Sequence, residues 1–319
     1  MLSRRILLPL LFCFVSPMLV AQSFPTKPLR LVLRSPPGGT DDLLGRLIAL
    51  KMPESLGQQV IVDYRTGAGG LVAWEYIAKA PPDGYTLLLA ASGLGAVRSL
   101  RPNATIDPWK DFAWVSQVVN YQLALVVHPS VPAKNVKELI ALARARPGQL
   151  SYGSSGVGAT PHLSAEYFKA AAKVNIVHVP YKGAGPMFLD LMSGRVETGF
   201  SVVASSIPHH KSGKLRILGT SGSKRVAQIP DVPTIGESVP GYEFDAFYAL
   251  LVPGGTPREI IQRLADATAK VVASPEYRQR VIDGGMEPVS SSPEQMLKIA
   301  KLDAAKIDKI VRTANIKLD

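Results

Sequence analysis

Glycine-rich turns that precede helical patterns are the feature of this sequence with the clearest chemical meaning. At least four of them follow short apolar runs and open helices: 36–40, 67–70, 154–160 and 182–185. The start of a helix presents unpaired N–H groups and the positive end of the helix dipole, and glycine lets a ligand approach the backbone. Such turns can bind carboxylate or phosphate groups. Because two lie in each half of the chain, we expect two domains that close on one anion.

Signatures of enzymes and cofactors are scarce. The turns fit neither the P-loop nor the dinucleotide-binding pattern, and the S-x-x-K match at 221–224 lacks its companion motifs. We expect His162 to fix its loop, and His209 and His210 to lie exposed before a turn. Asp41 and Asp42 are better explained by a helix start than by an acid/base pair. The sequence therefore predicts no cofactor, no metal and no catalytic residues.

The composition is that of a folded protein with an excess of positive charge. The chain has 319 residues, about two domains' worth, of which 46% are hydrophobic and 19% charged. The formal charge of +11 favours anionic partners. It is spread along the chain without a basic block, so nucleic acid is disfavoured as a partner. A surface that attracts a small anionic ligand explains the charge as well.

The first residues are typical of a secretory signal. Arg4 and Arg5 precede an apolar run, 6–20, that is short for a membrane span and contains two prolines. Ala21 suits a cleavage site, so residues 1–22 are predicted to be removed on export; a retained N-terminal anchor is the alternative. Cys13 lies in this segment, so the exported chain would have no cysteine and no disulfide.

Short strands alternate with helices, which predicts an α/β fold with parallel sheets. The first strand is predicted at 29–33 and the following helix at 42–56. Two clusters of strand–helix units are separated by a long apolar run, 115–127, and a second such run occurs at 244–252. These two runs could be antiparallel strands that cross between two domains. The C-terminal part, after the second run, is predicted to be helical.

Several short motifs occur in a defined order along the chain. They are KPLRLV (27–32), PPGG (36–39) with Asp42 and Arg46, GAGG (67–70), APPDGYTL (80–87), GVG (156–158) with HL (162–163), HVPYKG (178–183), PDVPT (230–234) and PGGTP (253–257). In this order and at these spacings they resemble the periplasmic receptors of tripartite tricarboxylate transporters, the TctC-like or Bug family. The resemblance extends from Phe24 to about Ile316.

The resemblance implies a type II periplasmic-binding-protein fold of two domains with two crossing hinge strands. After the signal at 1–22, domain I would comprise 23–121 and 238–319, and domain II 122–237. It implies a monomeric periplasmic receptor that closes on a small carboxylate (an organic, amino or aromatic acid) and delivers it to membrane permease subunits. No reaction and no cofactor are implied. A sensor input is an alternative role. The competing classes are a cleft enzyme such as an acyl hydrolase, which needs a nucleophile–base pair, and a nucleic-acid-binding module.

The resemblance also implies ligand-binding positions on loops of both domains. They are Ser35, Gly38, Gly39, Thr40, Asp41, Ala68 and Ser92 in domain I and Ser154, Gly158, Ala159, Thr160 and Ser201 in domain II. Arg34 and Ser35 stand where the family usually has proline and an aromatic residue, and Asp41 where it has serine or threonine. Asp41 would repel an anion unless a cation such as Arg34 offsets its charge. Alternatively, Asp41 would pair with an ammonium group of the ligand.

Overall fold

The computed structural model describes residues 24–313 and residue 316. The predicted signal segment and Cys13 lie outside the described residues. Within these residues, every helix is too short or too polar to cross a bilayer.

Strands and helices alternate through the described chain. The strands are β1 Leu29–Leu33, β2 Val60–Tyr64, β3 Thr86–Ala91, β4 Phe112–Val127, β5 Ser151–Ser154, β6 Val177–Pro180, β7 Thr198–Val202, β8 Arg216–Thr220, β9 Asp245–Pro253 and β10 Glu287–Pro288. The helices are α1 Thr40–Lys51, α2 Pro53–Leu56, α3 Leu71–Ala78, α4 Val97–Leu100, α5 Val136–Ala145, α6 Thr160–Ala172, α7 Ala184–Met192, α8 Val203–Lys211, α9 Arg258–Ala273, α10 Pro275–Asp283 and α11 Pro293–Thr313. Short 3₁₀ turns occur at Ala68–Gly70, Leu94–Ala96 and Ile235–Glu237.

The described strands join in the order β2-β1-β3-β9-β4-β7-β5-β6, and β8 and β10 also pair with β4. Strand β1 is parallel to β2 and β3, and β5 is parallel to β6 and β7. Parallel strands linked by helices are the predicted α/β arrangement.

Strand β4 is shared by the two halves of the sheet. It pairs antiparallel with β9 as far as Gln122 opposite Asp245, and with β7 from Leu123 opposite Val202 onward. This change of partner separates a first lobe (β1–β3, β9, β10 and the start of β4) from a second lobe (β5–β8 and the end of β4). The two long apolar runs are thus antiparallel neighbours, as predicted. Both strands are almost entirely buried, which explains their continuous apolar sequence.

One predicted helix is divided in two. The sequence predicts a helix over 42–56, whereas α1 begins at Thr40 and the chain restarts at Pro53 as α2. Proline has no N–H to donate to the preceding turn, so the continuous helix is interrupted there. Gly57, with a φ of +71°, ends α2 at the predicted position.

The prediction for His209 and His210 was wrong. Both lie half-buried in the last turn of α8, and His209 packs on Phe188 with ring centroids 4.6 Å apart. The sequence of α8 contains Pro208 and two adjacent serines and has no clear apolar stripe. Its burial depends on packing between elements, which the local pattern does not reveal.

Candidate ligand-binding site

The carboxyl ends of the parallel strands enclose a cavity between the lobes, at the edge where open α/β sheets bind ligands. Loops after β1, β2, β5 and β6 line this main cavity, whose volume is about 220 Å³. A small void of about 30 Å³ shares part of this lining and reaches β7 and β9. The residues common to both are Arg34, Ser35, Pro36 and Ser155.

The first-lobe loop between β1 and α1 is held by a carboxylate. Asp42 accepts hydrogen bonds from the N–H of Gly38 at 3.0 Å, from the Tyr64 hydroxyl at 2.6 Å and from Arg46 Nε at 2.7 Å. Burial opposes the charge of Asp42, but these three donors together lower its pKa. Asp42 therefore stays ionised and fixes the start of α1. It does not act as an acid/base partner of Asp41.

A buried ion pair lies beside the cavity. Arg34 Nε donates to Asp41 Oδ2 at 3.2 Å, and the side chains are only 7% and 6% exposed. The Tyr248 hydroxyl of β9 donates to Asp41 Oδ1 at 2.6 Å, and Arg34 Nη1 lies 3.4 Å from the carbonyl oxygen of Gly69. Burial works against the charge on Arg34, but the adjacent Asp41 carboxylate raises the pKa of the guanidinium. Arg34 thus offsets the charge of Asp41, as one of the two alternatives predicted.

Histidines support the facing second-lobe loop between β5 and α6. The Ser154 hydroxyl lies 2.7 Å from His178 Nε2 and 3.3 Å from the N–H of Gly156. His162 Nδ1 accepts the N–H of Gly158 at 3.2 Å, and its ring stacks on His178 with centroids 4.2 Å apart. His162 fixes its loop, as predicted.

The histidine cluster contributes no free charge to this loop at neutral pH. Burial lowers the pKa of His162 to about 4, and burial together with the neighbouring His162 lowers that of His178 to about 4. Glu166 accepts hydrogen bonds from the Tyr152 hydroxyl at 2.5 Å and from Lys169 Nζ at 2.7 Å. Burial opposes the charge of Glu166, but these partners lower its pKa. The charges of Glu166 and Lys169 therefore balance each other.

The contact between Ser154 and His178 does not make a nucleophile. Ser154 has no exposed surface, and its hydroxyl faces the turn of its own loop. A nucleophile must reach its substrate, so this pair stabilises the loop instead. Within the part of the chain that the structure describes, no group of three histidine, cysteine, aspartate or glutamate residues could hold a metal ion.

The lobes touch directly around the cavity. The hydrogen bonds that join them here include Thr40 Oγ1 with Ser205 Oγ at 2.9 Å, Thr160 Oγ1 to the Ser92 carbonyl at 2.9 Å, and Arg101 Nη2 to the Val157 carbonyl at 3.1 Å. These contacts place the facing loops in a closed arrangement.

Glycine makes the closest approaches between the lobes possible. At Gly69, where φ is +66°, a Cβ atom would overlap the carbonyl oxygen of Val157. At Gly183, where φ is +116°, a Cβ atom would lie 2.9 Å from Pro36 Cδ. Both positions require positive φ and the absence of a side chain.

The residues implicated by the family resemblance fall into two groups. Those that line the main cavity or the small void are Ser35, Gly39, Thr40, Asp41, Ala68, Ala159 and Ser201. Those that lie behind this lining are Gly38, Ser92, Ser154, Gly158 and Thr160. In the second group, the serines and the threonine are buried and hydrogen-bonded, whereas the glycines take positive φ values in their turns. The second group therefore supports the site without facing it.

Several lining residues were not among the predicted ones. They include Arg34, Gly69, Val157, Tyr181, Lys182 and Ser205. The sequence predicts Arg34 only as a cation that could offset the charge of Asp41. Lys182 opens the predicted turn at 182–185 and could have been found from it, whereas Ser205 lies on the unpredicted helix α8.

Two α/β lobes that share antiparallel strands and enclose a cavity at helix N-termini are the architecture of type II periplasmic solute-binding proteins, the fold that the family resemblance implies. The sequence profile of the tripartite tricarboxylate transporter family receptors (TctC) matches residues 44–316. The chain belongs to this family of periplasmic receptors. It is therefore a solute-binding receptor and not an enzyme.

Relatives extend this similarity over most of the chain. BugT of Bordetella pertussis is 34% identical over 278 residues, covering 86% of this chain and 85% of BugT. An R. palustris structure with adipate is 37% identical, with a TM-score of 0.88 over 92% of this chain and 99% of the other. MatC from Rhodopseudomonas palustris, with bound malate, is 29% identical, with a TM-score of 0.85 over 91% of this chain and 100% of MatC.

Proposed function

We propose that this receptor captures a small carboxylate between its lobes and delivers it to the membrane permease of a tripartite tricarboxylate transporter. The charge of the main cavity is the observation that carries the proposal. Among the described residues that line it, the charged ones are Arg34 and Lys182, and both are cations. A cavity with two cations and no lining carboxylate favours an anion with one or two negative charges.

Backbone donors add to this preference. Six of the described helices or helical turns begin at residues of the main cavity or the small void, with the N-caps Gly39, Gly67, Gly70, Ala159, Gly183 and Val202. Each presents N–H groups and a positive dipole end, which bind carboxylates. The relatives solved with adipate and with malate support a dicarboxylate as the first class to test.

We assign domain I to 23–121 and 238–319 and domain II to 122–237. The change of strand partner between Gln122 and Leu123 supports the first boundary. Closure of the domains around this hinge would bury the ligand and present a distinct surface to the permease. Cleavage of the signal near Ala21 and a monomeric state in solution belong to the same proposal.

Binding is tested with the chain from residue 23 to 319 and a panel of linear dicarboxylates of four to eight carbons, malate and aromatic acids. A ligand present at 100 times its Kd stabilises the folded state by about 2.7 kcal/mol. We expect a rise of a few degrees in Tm with at least one carboxylate, and none with the corresponding diamide. If every member of the panel leaves the Tm unchanged, the proposed ligand class is wrong.

Delivery is tested by uptake. In the source cells, deletion of the gene for this receptor should abolish uptake of the carboxylate identified in the binding assay. Restoring the wild-type gene should restore uptake. Unchanged uptake after deletion would contradict the role in transport while leaving the binding result intact.

A further inference from the structure

The Arg34–Asp41 pair carries an inference about the ligand itself. We propose that Arg34 anchors a ligand carboxylate, and that Asp41 positions Arg34 and makes no contact with the ligand. The receptor would then select a carboxylate at this end of the cavity and reject an ammonium group. This inference rests on the proposed function, because it takes the cavity between the lobes as the ligand site.

The guanidinium of Arg34 has N–H groups that no described residue accepts. It carries five N–H groups, and its hydrogen bonds to described residues use one at Nε and one at Nη1. The residue is only 8% exposed, and it lines both the main cavity and the small void. The N–H groups of Nη2 have no acceptor among the described residues, and this atom is not fully buried, so a ligand in the cavity can reach them. A carboxylate accepts two of them in parallel, the geometry that arginine matches well.

Asp41 has little left to offer a ligand. One of its oxygens accepts from Arg34 and the other from Tyr248, and its side chain is 6% exposed. Burial and the Asp41 carboxylate raise the pKa of Tyr248 well above its ordinary value, so the phenol keeps the proton that it donates. A ligand ammonium group would find both oxygens already paired and the carboxylate almost completely covered. Asp41 and Tyr248 instead hold the guanidinium against the wall of the cavity.

A second polar group beside Arg34 has no partner. The Tyr121 hydroxyl is buried and makes no hydrogen bond to the described residues, and Tyr121 is one of the residues that line the small void. Burial raises its pKa, so it remains a neutral donor. A ligand oxygen bound to Arg34 would lie near this donor, since both groups line the same void. The void is also lined by Asp41, but both oxygens of that carboxylate already accept hydrogen bonds. The groups left to a ligand are therefore donors and a cation, which suits a carboxylate end.

The experiment compares matched ligands on wild type and on variants of the exported chain by calorimetry. The probes are two pairs of ligands. In 6-aminohexanoate an ammonium-bearing carbon replaces one carboxylate of adipate, and in aspartate an ammonium group replaces the hydroxyl of malate. Wild type is expected to bind the dicarboxylate adipate at least about tenfold more tightly than 6-aminohexanoate. The variant Arg34→Met/Asp41→Asn removes both charges together and avoids a lone buried ion. We expect it to bind adipate or malate about 10- to 100-fold more weakly, the range for a hydrogen bond to a charged group.

Two further variants keep the result interpretable. Arg34→Lys retains the charge that Asp41 needs and loses the planar fork, so it should fold and bind about tenfold more weakly. Arg258→Met/Glu294→Gln removes an exposed ion pair far along the chain, with side chains 92% and 66% exposed, and should bind as wild type does.

The role of Asp41 has its own readout. If Asp41 acts through Arg34, Asp41→Asn changes the affinities for malate and aspartate by the same factor. A selective loss of aspartate would show direct pairing with an ammonium group and overturn the inference.

Failure of the inference and failure of the proposed function give different results. Wild-type affinity in both Arg34→Met/Asp41→Asn and Arg34→Lys would overturn the anchor and leave the proposed carboxylate site intact. If wild type binds none of the dicarboxylates, the inference and the proposed ligand class both fall.

Discussion

The two loops that face each other across the cavity are stabilised by different chemistry. The first-lobe rim, residues 34–42, contains a buried cation, a buried carboxylate and a second ionised carboxylate. The second-lobe rim, residues 154–162, has no acidic or lysine or arginine side chain and rests on two neutral histidines. Both rims end in helix N-termini, at Gly39 and Ala159.

Because of this difference, the two rims should contribute differently to ligand recognition: one to the binding of any carboxylate, the other to the preference for one carboxylate over another. Helix N-termini on both rims bind carboxylates through backbone donors that any sequence with the right turns supplies. Fixed charges occur in the first-lobe rim, where Tyr248 of β9 donates a hydrogen bond to Asp41. We infer that the second-lobe rim is a general carboxylate binder and that the first-lobe rim sets which carboxylate is preferred.

The largest expected effect comes from breaking the ion pair of the first-lobe rim. Arg34→Met leaves Asp41 as a buried charge without a cation, which should lower the free energy of unfolding by about 3–5 kcal/mol. Adding Asp41→Asn should restore most of this loss, because Tyr248 can still donate to the amide oxygen. Urea denaturation followed by circular dichroism measures both values.

Arg258→Met is the matched control for this change. Its ion pair with Glu294 is exposed, so its removal should alter stability by less than about 0.5 kcal/mol. If Arg34→Met lowers the free energy of unfolding as little as this control does, the Arg34–Asp41 pair is effectively solvated. The first-lobe rim would then not differ from the second-lobe rim by holding a buried ion pair.

Lowering the pH should destabilise the protein through the histidines that support the second-lobe rim. The folded-state pKa values of His162 and His178 are lowered to about 4, below the ordinary value of about 6.5. The unfolded chain therefore binds more protons between these values, and stability falls as the pH falls from 6.5 towards 4. As the pH falls from 7.5 to 5.0, protonation of the two histidines should lower the free energy of unfolding by about 2–4 kcal/mol.

A variant isolates this contribution. Burial raises the pKa of Asp303 to about 6, so this carboxyl acts in the opposite sense over the same range. Wild type must therefore be compared with His162→Gln/His178→Gln, which retains Asp303. The change in urea midpoint between the two pH values should be smaller in the variant or reversed in sign. Equal changes in the two proteins would show that the histidines are protonated without cost in the folded state.

The sequence predicted the scaffold of both rims better than their electrostatics. Turns with glycine and a following helix depend on local backbone conformation, so 36–40 and 154–160 could be located from residue types alone. The role of His162 also followed from its position in the first turn of α6. The burial of Ser154 and Thr160 could not be predicted, because it arises from packing between loops and between lobes. The same holds for the contact of Asp41 with Tyr248, 207 residues away.

Closure of one rim against the other should depend on Gly69. Its Cβ atom would overlap the Val157 carbonyl oxygen, so Gly69→Ala should hold the lobes apart and weaken binding of a dicarboxylate at least about tenfold, or about 1.4 kcal/mol. Calorimetry measures the affinity, and small-angle X-ray scattering should show a larger radius of gyration with ligand than wild type has.

Gly38→Ala provides the control for backbone strain. Gly38 also has a positive φ, +95°, but a Cβ atom there would have no neighbour within 4 Å. Its substitution should therefore strain the turn without opposing closure. If both variants weaken binding equally, strain in the turns is the cause and the contact between the rims is not.

The smallest expected effect concerns the hydroxyl contact between Thr40 and Ser205. Their oxygen atoms lie 2.9 Å apart at a partly buried position, one on each lobe. A neutral hydrogen bond of this kind contributes about 0.5–1.5 kcal/mol, so Thr40→Val should weaken ligand binding only about two- to tenfold. A double-mutant cycle with Ser205→Ala measures the coupling between the two residues. The proposed closure brings these two hydroxyls together only when ligand is bound. The coupling should therefore be found in the ligand affinity and be near zero in the unfolding free energy without ligand. Coupling of equal size in both would mean that the lobes are already closed without ligand, and the rims would then select their ligand without having to move.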